Sequence, residues 1–206
     1  MNQQLSGNRD DDSGGTEHND LAMILATARQ QSLGGMLRRS AMRHHDRTAI
    51  ICGDTRWTYA EFDRVVDCLA AGLKRAGVNP GDRLALLARN SHAFMALRFA
   101  IARADAVLVP INFMLNADDV RYILEHSGAR MLFVDRSTAD VGSAARPDSV
   151  ERIIGIAGEH HGVPDGFPSW EELFCDDGVQ QDTRGGSDRL CCKHGARPRG
   201  VTQLGD

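Results

Sequence analysis

The chain is 206 residues long, 42% hydrophobic and 25% charged, with a formal net charge of −4. This is the composition of an ordinary folded protein, and the length suffices for one large domain or two small ones. The charge is uneven: residues 1–20 hold one basic residue against five acidic ones, and the last 23 residues hold five basic against two acidic. Neither end has the charge density of a nucleic-acid-binding arm, so the sequence predicts solvated ends and no nucleic-acid partner.

Cysteine usage and hydropathy bear on location. Five cysteines occur without regular spacing, and no apolar leader opens the chain: Cys52, Cys68, Cys175, Cys191 and Cys192. This pattern favours reduced thiols in the cytoplasm over a secreted disulfide framework. No apolar run approaches the roughly 18 residues that a membrane helix needs, so no transmembrane segment is predicted.

The first 18 residues are polar and acidic and contain Gly and Ser, so they are predicted to form a disordered leader. Asn19 or Asp20 then caps a predicted helix, and a second helix is predicted over Leu33–Arg43. Two β-rich runs flank Gly53 within residues 48–58 and predict a hairpin, because glycine accepts the positive φ of a tight turn.

Strands alternate with capped helices from residue 58 onward. Thr58 and Glu61 have the spacing of a capping box, and Ser91 and Asn116 cap the next two predicted helices. Apolar runs at residues 83–88, 106–111 and 130–135 predict strands buried on both faces, the second of them stopped at Pro110. The alternation predicts an α/β fold, a parallel-sheet layer with flanking helices. The predicted buried strand positions are Leu84, Leu86, Val107, Val109, Leu132 and Val134.

After Asp135 the pattern weakens. Residues 151–158 can form one more strand, and Ser169 can cap a short helix, but Gly and Asp interrupt the remainder.

Two motifs in this order resemble one enzyme family. They are "TYAEF" at residues 58–62 and "ADAVLVPIN" at 104–112, within a continuous similarity over residues 33–135. This stretch resembles the N-terminal part of the AMP-forming acyl-CoA ligases of the adenylate-forming superfamily. Within that family, its sequence is more similar to the fatty-acid-CoA ligases and related acyl-CoA ligases. One departure is Asp105, where the family usually has glycine. Because Asp tolerates left-handed backbone less well, a cost of about 1 kcal/mol is expected there.

The resemblance implies a two-step reaction. ATP, with Mg²⁺, and a carboxylic acid such as a fatty acid give an acyl adenylate and pyrophosphate, and coenzyme A then displaces AMP. In the family, the phosphate loop, the nucleotide contacts and the catalytic lysine come later in the chain. The resemblance therefore implies a truncated first subdomain at residues 19–183, no catalytic residue, and no cofactor bound by this chain alone.

Residues 184–206 are predicted to be an irregular basic tail. Within it, Pro198, Arg199 and Gly200 match the Pro-Lys-Gly end of the family's phosphate loop with Arg in place of Lys, but "CCKH" replaces the Ser/Thr/Gly run. The tail is either a damaged or frame-shifted remnant of that loop or a chance similarity to it. The spacing of Gly195 and Gly200 also resembles a Walker loop, and Thr202 matches its Ser/Thr, but Val201 stands where the lysine is required, so this match fails.

Other candidate sites have simpler interpretations. Adjacent Cys191 and Cys192 with His194 give at most three ligands on poor geometry, so no metal site is predicted. The doublets His44-His45 and His160-His161 are predicted to be solvent-exposed. Asp118-Asp119 is predicted to complement a helix dipole rather than to form a catalytic pair.

Two hypotheses of function remain open. The first is an N-terminal fragment of an acyl-CoA ligase, inactive alone. The second is a stand-alone α/β binding or scaffolding module derived from a ligase N-terminus. In either case an uncovered sheet face or edge is predicted to favour self-association.

Overall fold

A computed structural model describes residues 33–174 of the chain. The predicted helix after residue 20, the leader and the basic tail lie outside these residues. Five α-helices, six strands and one 3₁₀ turn are found in the described part. In chain order they are α1 Leu33–Arg43, β1 Thr48–Cys52, β2 Thr55–Thr58, α2 Tyr59–Arg75, β3 Arg83–Leu87, α3 His92–Arg103, β4 Val107–Ile111, α4 Ala117–Ser127, β5 Met131–Val134, α5 Ala139–Ala145, β6 Arg152–Gly155 and the 3₁₀ turn Trp170–Leu173.

The predicted hairpin and its capped helix are confirmed. β1 and β2 pair antiparallel, and Gly53 in the turn has φ of +54°. Thr58 begins α2 with both bonds of a capping box: its Oγ1 accepts the Glu61 N–H at 3.2 Å, and Glu61 Oε2 accepts the Thr58 N–H at 2.8 Å. These two bonds satisfy amides that the first turn of a helix otherwise leaves unpaired.

A four-stranded parallel sheet forms the centre of the fold, in the order β4-β3-β5-β6. β3 pairs with β4 on one side and with β5 on the other. The first of the four strands in the chain is therefore an inner strand of the sheet. The predicted α/β class is therefore confirmed, and β6 confirms the further strand predicted within residues 151–158.

Helices cover both faces of this sheet. Helices α1, α2 and α3 pack on one face, over β3, β5 and β6 residues such as Leu84, Leu86 and Phe133. Helices α4 and α5 pack on the other face, over Leu87, Leu132 and other residues of alternate register. Side chains of successive strand residues point to opposite faces, so a sheet covered on both sides needs the near-continuous apolar runs seen in the sequence.

The prediction for β4 was partly wrong. Leu84, Leu86, Leu132 and Val134 are fully buried, but Val107 is 48% exposed and Val109 is only half-buried. The physical reason is position: in the described part, β4 is an edge strand paired with β3 alone, so neighbours cover it on one side only.

Pro110 was also predicted wrongly, as the stop of this strand. The strand continues to Ile111, with Pro110 opposite Leu86. The Val107 N–H points inward and donates to Asp82 O at 2.8 Å. Because successive residues of a strand direct their N–H groups to alternate sides, the nitrogen of Pro110 faces outward, where a missing N–H breaks no bond.

Two further features of the described part concern its local backbone. Asp105, which stands where the family usually has glycine, adopts the expected left-handed backbone, with φ of +61°. The helix α5 was not predicted from the sequence, whereas the short helix after Ser169 was, and it is a 3₁₀ turn with a capping box to Glu172.

Within residues 33–174, no helix has both the length and the apolarity to cross a bilayer.

Candidate functional site

The carboxyl ends of β3 and β5 meet where the connections of the sheet diverge. The chain leaves β3 for β4 on one side and then crosses from β4 to β5 on the other side. In open parallel sheets, ligands bind in the crevice outside the carboxyl ends of the strands at such a switch point. The loops that follow β3 and β5, residues 88–91 and 135–138, therefore form the candidate site.

Asp135, the first residue after β5, is a buried carboxylate with 4% of its surface exposed. Its Oδ2 accepts the Arg89 N–H at 2.7 Å. Its Oδ1 accepts the N–H groups of Ser137 and Thr138 at 2.8 and 3.1 Å and the Ser137 hydroxyl at 2.6 Å. Both carboxylate oxygens are thus held by uncharged protein donors.

The Thr138 hydroxyl ties the same corner to β3. It donates to the Leu87 carbonyl oxygen at 2.6 Å and accepts the Asp135 N–H at 3.2 Å. A hydroxyl has only one proton to donate, so the short bond to Leu87 fixes its orientation. We call Arg89, Asp135, Ser137 and Thr138, which join the ends of β3 and β5, the carboxyl-end network.

Two arginine side chains lie at the outer surface of this end. The Arg89 guanidinium lies 4.5 Å from the ring centroid of Phe113, a cation–π contact with the segment after β4. Arg136 pairs with Asp165, with 3.3 Å between Nη2 and Oδ2. Each cation therefore already has a contact within the described part of the chain.

Ser91 and His92 begin α3 at the same end. The Ser91 hydroxyl oxygen accepts the Phe94 N–H at 3.1 Å, which confirms the predicted cap, and the hydroxyl donates to Ala157 O at 2.9 Å. The His92 ring lies edge-on to Trp57 and Trp170, at centroid distances of 5.3 and 5.9 Å. Burial lowers the pKa of His92, so this imidazole is uncharged at neutral pH.

The side chains at the carboxyl end of the sheet do not by themselves supply the ligands that a nucleotide–metal complex needs. A triphosphate with Mg²⁺ needs carboxylate oxygens, amides and cations that converge on one point. Asp135 is committed to protein donors, and Arg89 and Arg136 are engaged elsewhere. Within residues 33–174, no three His, Cys, Asp or Glu side chains come together as metal ligands.

The candidate residues from the sequence lie elsewhere. Pro198, Arg199 and Gly200, with Cys191, Cys192 and His194, fall outside the described residues. Both histidine doublets lie on exposed segments. Asp118 and Asp119 stand in the first turn of α4, where the Asn116 side chain accepts the Asp119 N–H at 3.0 Å and donates to Asp119 Oδ2 at 2.7 Å.

The carboxyl-end network was missed by the sequence analysis. Asp135 is the last residue of one predicted buried strand and Arg89 directly follows another, and this is the signal that could have found them. In a parallel sheet such residues come together at one edge, although Asp135 and its partner Arg89 are 46 residues apart.

Comparison with known proteins assigns the family. The sequence profile of the AMP-binding enzyme family matches residues 37–183, well over half of the chain. The chain belongs to this family. Its resemblance to AMP-forming ligases, inferred from two short motifs, is thereby confirmed.

Two curated relatives are a CoA synthase and a fatty acid ligase by name. A feruloyl-CoA synthase from Amycolatopsis sp is 40% identical over 126 residues, which are 61% of this chain and 26% of the relative. The fatty acid–(acyl-carrier-protein) ligase ScoC from Streptomyces coeruleorubidus is 31% identical over 128 residues, 62% of this chain and 23% of the relative.

A solved structure shows the same fold. The N-terminal domain of FACL13 from Mycobacterium tuberculosis matches with a TM-score of 0.56 and 34% identity, over 60% of this chain and 33% of that one. The chain thus spans about a quarter of the length of the curated relatives it matches, and about a third of this structural neighbour.

Proposed function

We propose that the chain provides the first structural unit of an AMP-forming acyl-CoA ligase. The observation that carries this proposal is the family match over residues 37–183, together with similarity to enzymes whose names include feruloyl-CoA synthase and fatty acid ligase. The matched residues 37–183 contain the parallel sheet and the carboxyl-end network. The role of residues 33–174 in this proposal is to hold that sheet rigid.

The reaction of the whole ligase would activate a carboxylic acid, a fatty acid in the leading hypothesis, with ATP and Mg²⁺ and transfer it to coenzyme A. Residues 33–174 do not fit the nucleotide and metal by themselves, so we place their binding on other parts of such a ligase. Pro198, Arg199 and Gly200 remain candidate phosphate contacts only if the tail is a remnant of the phosphate loop rather than a chance similarity to it. The cytoplasm remains the predicted location, because ATP and coenzyme A are intracellular substrates.

A segment exchange tests the structural role. In the Amycolatopsis feruloyl-CoA synthase, the matched segment is replaced by the aligned residues of this chain, and feruloyl-CoA formation is measured by absorbance. We expect a folded chimera that retains activity, because the two segments are 40% identical and cores tolerate substitutions that keep volume and hydrophobic pattern. A folded chimera without activity would favour the stand-alone module over the ligase unit.

The purified 206-residue chain gives the complementary measurement. We expect no fatty-acid-dependent exchange of pyrophosphate into ATP, because one exposed cation contributes about 1 kcal/mol and micromolar nucleotide binding needs about 8. Exchange that is lost in Arg199→Ala and kept in Arg197→Ala would instead identify the tail as a working phosphate loop.

Self-association is a separate prediction. Val107, Phe113 and Met114 are exposed along and after β4, whereas the outward Pro110 removes one donor from that edge. We therefore expect any association there to use apolar side chains rather than strand pairing. Light scattering of the purified chain, compared with Met114→Lys, measures it: a dimer that this substitution leaves intact would place the contact elsewhere.

A further inference from the structure

An open cleft of about 340 Å³ lies between β1 and the beginning of α3. Four consecutive residues of β1 line one wall, and successive side chains of a strand point to opposite faces. A wall made of consecutive residues is therefore the edge of the strand, with its backbone N–H and C=O groups. The lining residues are Ala49, Ile50, Ile51, Cys52, Asn90, Ser91, His92, Met95 and Glu159.

This edge of β1 is available for pairing. In the described part, β1 pairs with β2 on its other side and with no further strand. The outer strand β4 of the larger sheet differs, because the nitrogen of Pro110 faces outward and carries no N–H. The edge of β1 contains no proline along Thr48–Cys52. The pairing of β1 with β2 is irregular between Thr48 and Ile50 and regular from Ile50 to Cys52, so the regular part of this edge lies beside the hairpin turn.

The cleft is closed at the hairpin end. A Cβ atom placed on Gly53 would lie 2.5 Å from the carbonyl oxygen of Glu159, so the loop at Glu159 lies against the turn. Among the residues that line the cleft, Glu159 and His92 are the acidic and basic ones. Burial lowers the pKa of His92, so Glu159 supplies the charge of this cleft at neutral pH.

We propose that the cleft binds an extended peptide, which adds a third strand to β1 and places a basic side chain at Glu159. Strand addition obtains its affinity from main-chain hydrogen bonds and its specificity from alternate side chains. Here the half-buried Ile50 and Met95 offer apolar contacts for an alternate side chain. The Oε2 of Glu159 lies 3.9 Å from His160 Nε2, and the side chain is 54% exposed, so it can still reach a cation at the closed end.

The test uses three synthetic peptides and the 206-residue chain labelled with ¹⁵N. The first is acetyl-Lys-Thr-Val-Thr-Val-Thr-amide, the second carries Glu in place of Lys, and the third is the first peptide N-methylated at every residue. Two-dimensional NMR reports which amides shift, and the titration gives the Kd. Glu159→Gln is the variant, and Glu125→Gln, on the exposed surface of α4 across the sheet, is the matched control.

We expect the Lys peptide to shift amides at residues 49–52 and 90–95 and to bind about fivefold more tightly than the Glu peptide at low salt. Glu159→Gln should abolish that preference, and Glu125→Gln should keep it. The N-methylated peptide should leave residues 49–52 unshifted, because it has no main-chain N–H group to donate to β1. Three results would each overturn the proposal: shifts at Val107–Ile111 instead, equal binding of the N-methylated peptide, or no shift at about 2 mM peptide.

Discussion

The two ends of the parallel sheet are held together in different ways. At the carboxyl end, the buried Asp135 gathers uncharged N–H and hydroxyl donors from the loops after β3 and β5. At the amino end, Arg130 bridges two acids near the surface: its Nη1 lies 2.5 Å from Asp82 Oδ2 and its Nε lies 2.9 Å from Glu151 Oε1. We call Asp82, Arg130 and Glu151 the amino-end network.

The difference predicts unequal contributions to stability. A buried acceptor that is removed leaves its donors without partners, at about 1–3 kcal/mol for each group. An exposed ion pair loses little, because water and salt already screen its charges. The carboxyl end, where ligands of such sheets bind, should therefore be the rigid end, and the amino end should tolerate change.

The largest effect is expected for Asp135→Ala. The Arg89, Ser137 and Thr138 N–H groups would lose their acceptor, and we expect a loss of at least about 3 kcal/mol in the free energy of unfolding, measured by urea denaturation. Asp135→Asn keeps one acceptor oxygen and should lose less. An unchanged urea midpoint in Asp135→Ala would show that the two ends do not differ as proposed.

Thr138→Val should have the next largest effect. Valine has nearly the same shape but lacks the hydroxyl, so the Leu87 carbonyl loses its donor and the Asp135 N–H loses its acceptor. We expect a loss of about 1–3 kcal/mol, again by urea denaturation. Thr138→Ser keeps the hydroxyl and loses only the methyl group, so it serves as control and should retain most of the stability. A loss in Thr138→Ser as large as that in Thr138→Val would show that the two hydroxyl bonds do not account for the effect.

Asp105→Gly is a substitution at the amino end of the sheet that should raise stability rather than lower it. Asp105 precedes β4 with φ of +61°, and its Oδ2 lies 3.9 Å from the Lys74 ammonium in an exposed pair. Glycine relieves the left-handed backbone and loses only that pair, so we expect a gain of up to about 1 kcal/mol in thermal denaturation. Asp105→Ala removes the same pair without relief and should not gain; a gain in both would locate the cost in the charge.

Features that depend on residues close in the chain were predicted better from the sequence than features that depend on which elements lie side by side in the fold. The capping boxes and the glycine turns depend on residues three or four apart, and Thr58, Glu61 and Asn116 were predicted correctly for that reason. The exposure of Val107 depends on which strand lies beside β4, and the order of strands in the sheet is not encoded within β4 itself.

The helix α5 shows the same limit. Its sequence, "ADVGSAA", has few apolar residues at helical spacing, and what stabilises it is contact with the sheet. A Cβ atom on Gly142 would lie 2.6 Å from Val134 Cγ1, so the helix packs where only a glycine fits. Likewise the candidate site required Arg89 and Asp135 to meet across two strands, and no pattern within either loop predicts that contact.

The smallest effect is expected for Glu151→Gln at neutral pH, a change of about 1–2 °C in the melting temperature, because Glu151 and Arg130 are exposed to solvent. The contribution of this ion pair to stability should show in the pH dependence of the melting temperature at acidic pH. The hydrogen bond from Arg130 lowers the pKa of Glu151, and the bond from the Asn79 N–H, with Arg130 nearby, lowers the pKa of Asp82.

A lowered pKa in the folded state stabilises the protein above the ordinary pKa values of 4.5 and 3.8, and this stabilisation is lost as the pH falls through the lower folded values. The melting temperature of the wild type should therefore fall more steeply below about pH 4.5 than that of the double variant Asp82→Asn with Glu151→Gln. High salt should reduce the difference near pH 7, since it screens exposed charges. Parallel acid profiles for the two proteins would mean that the amino-end network does not contribute even this small share of stability.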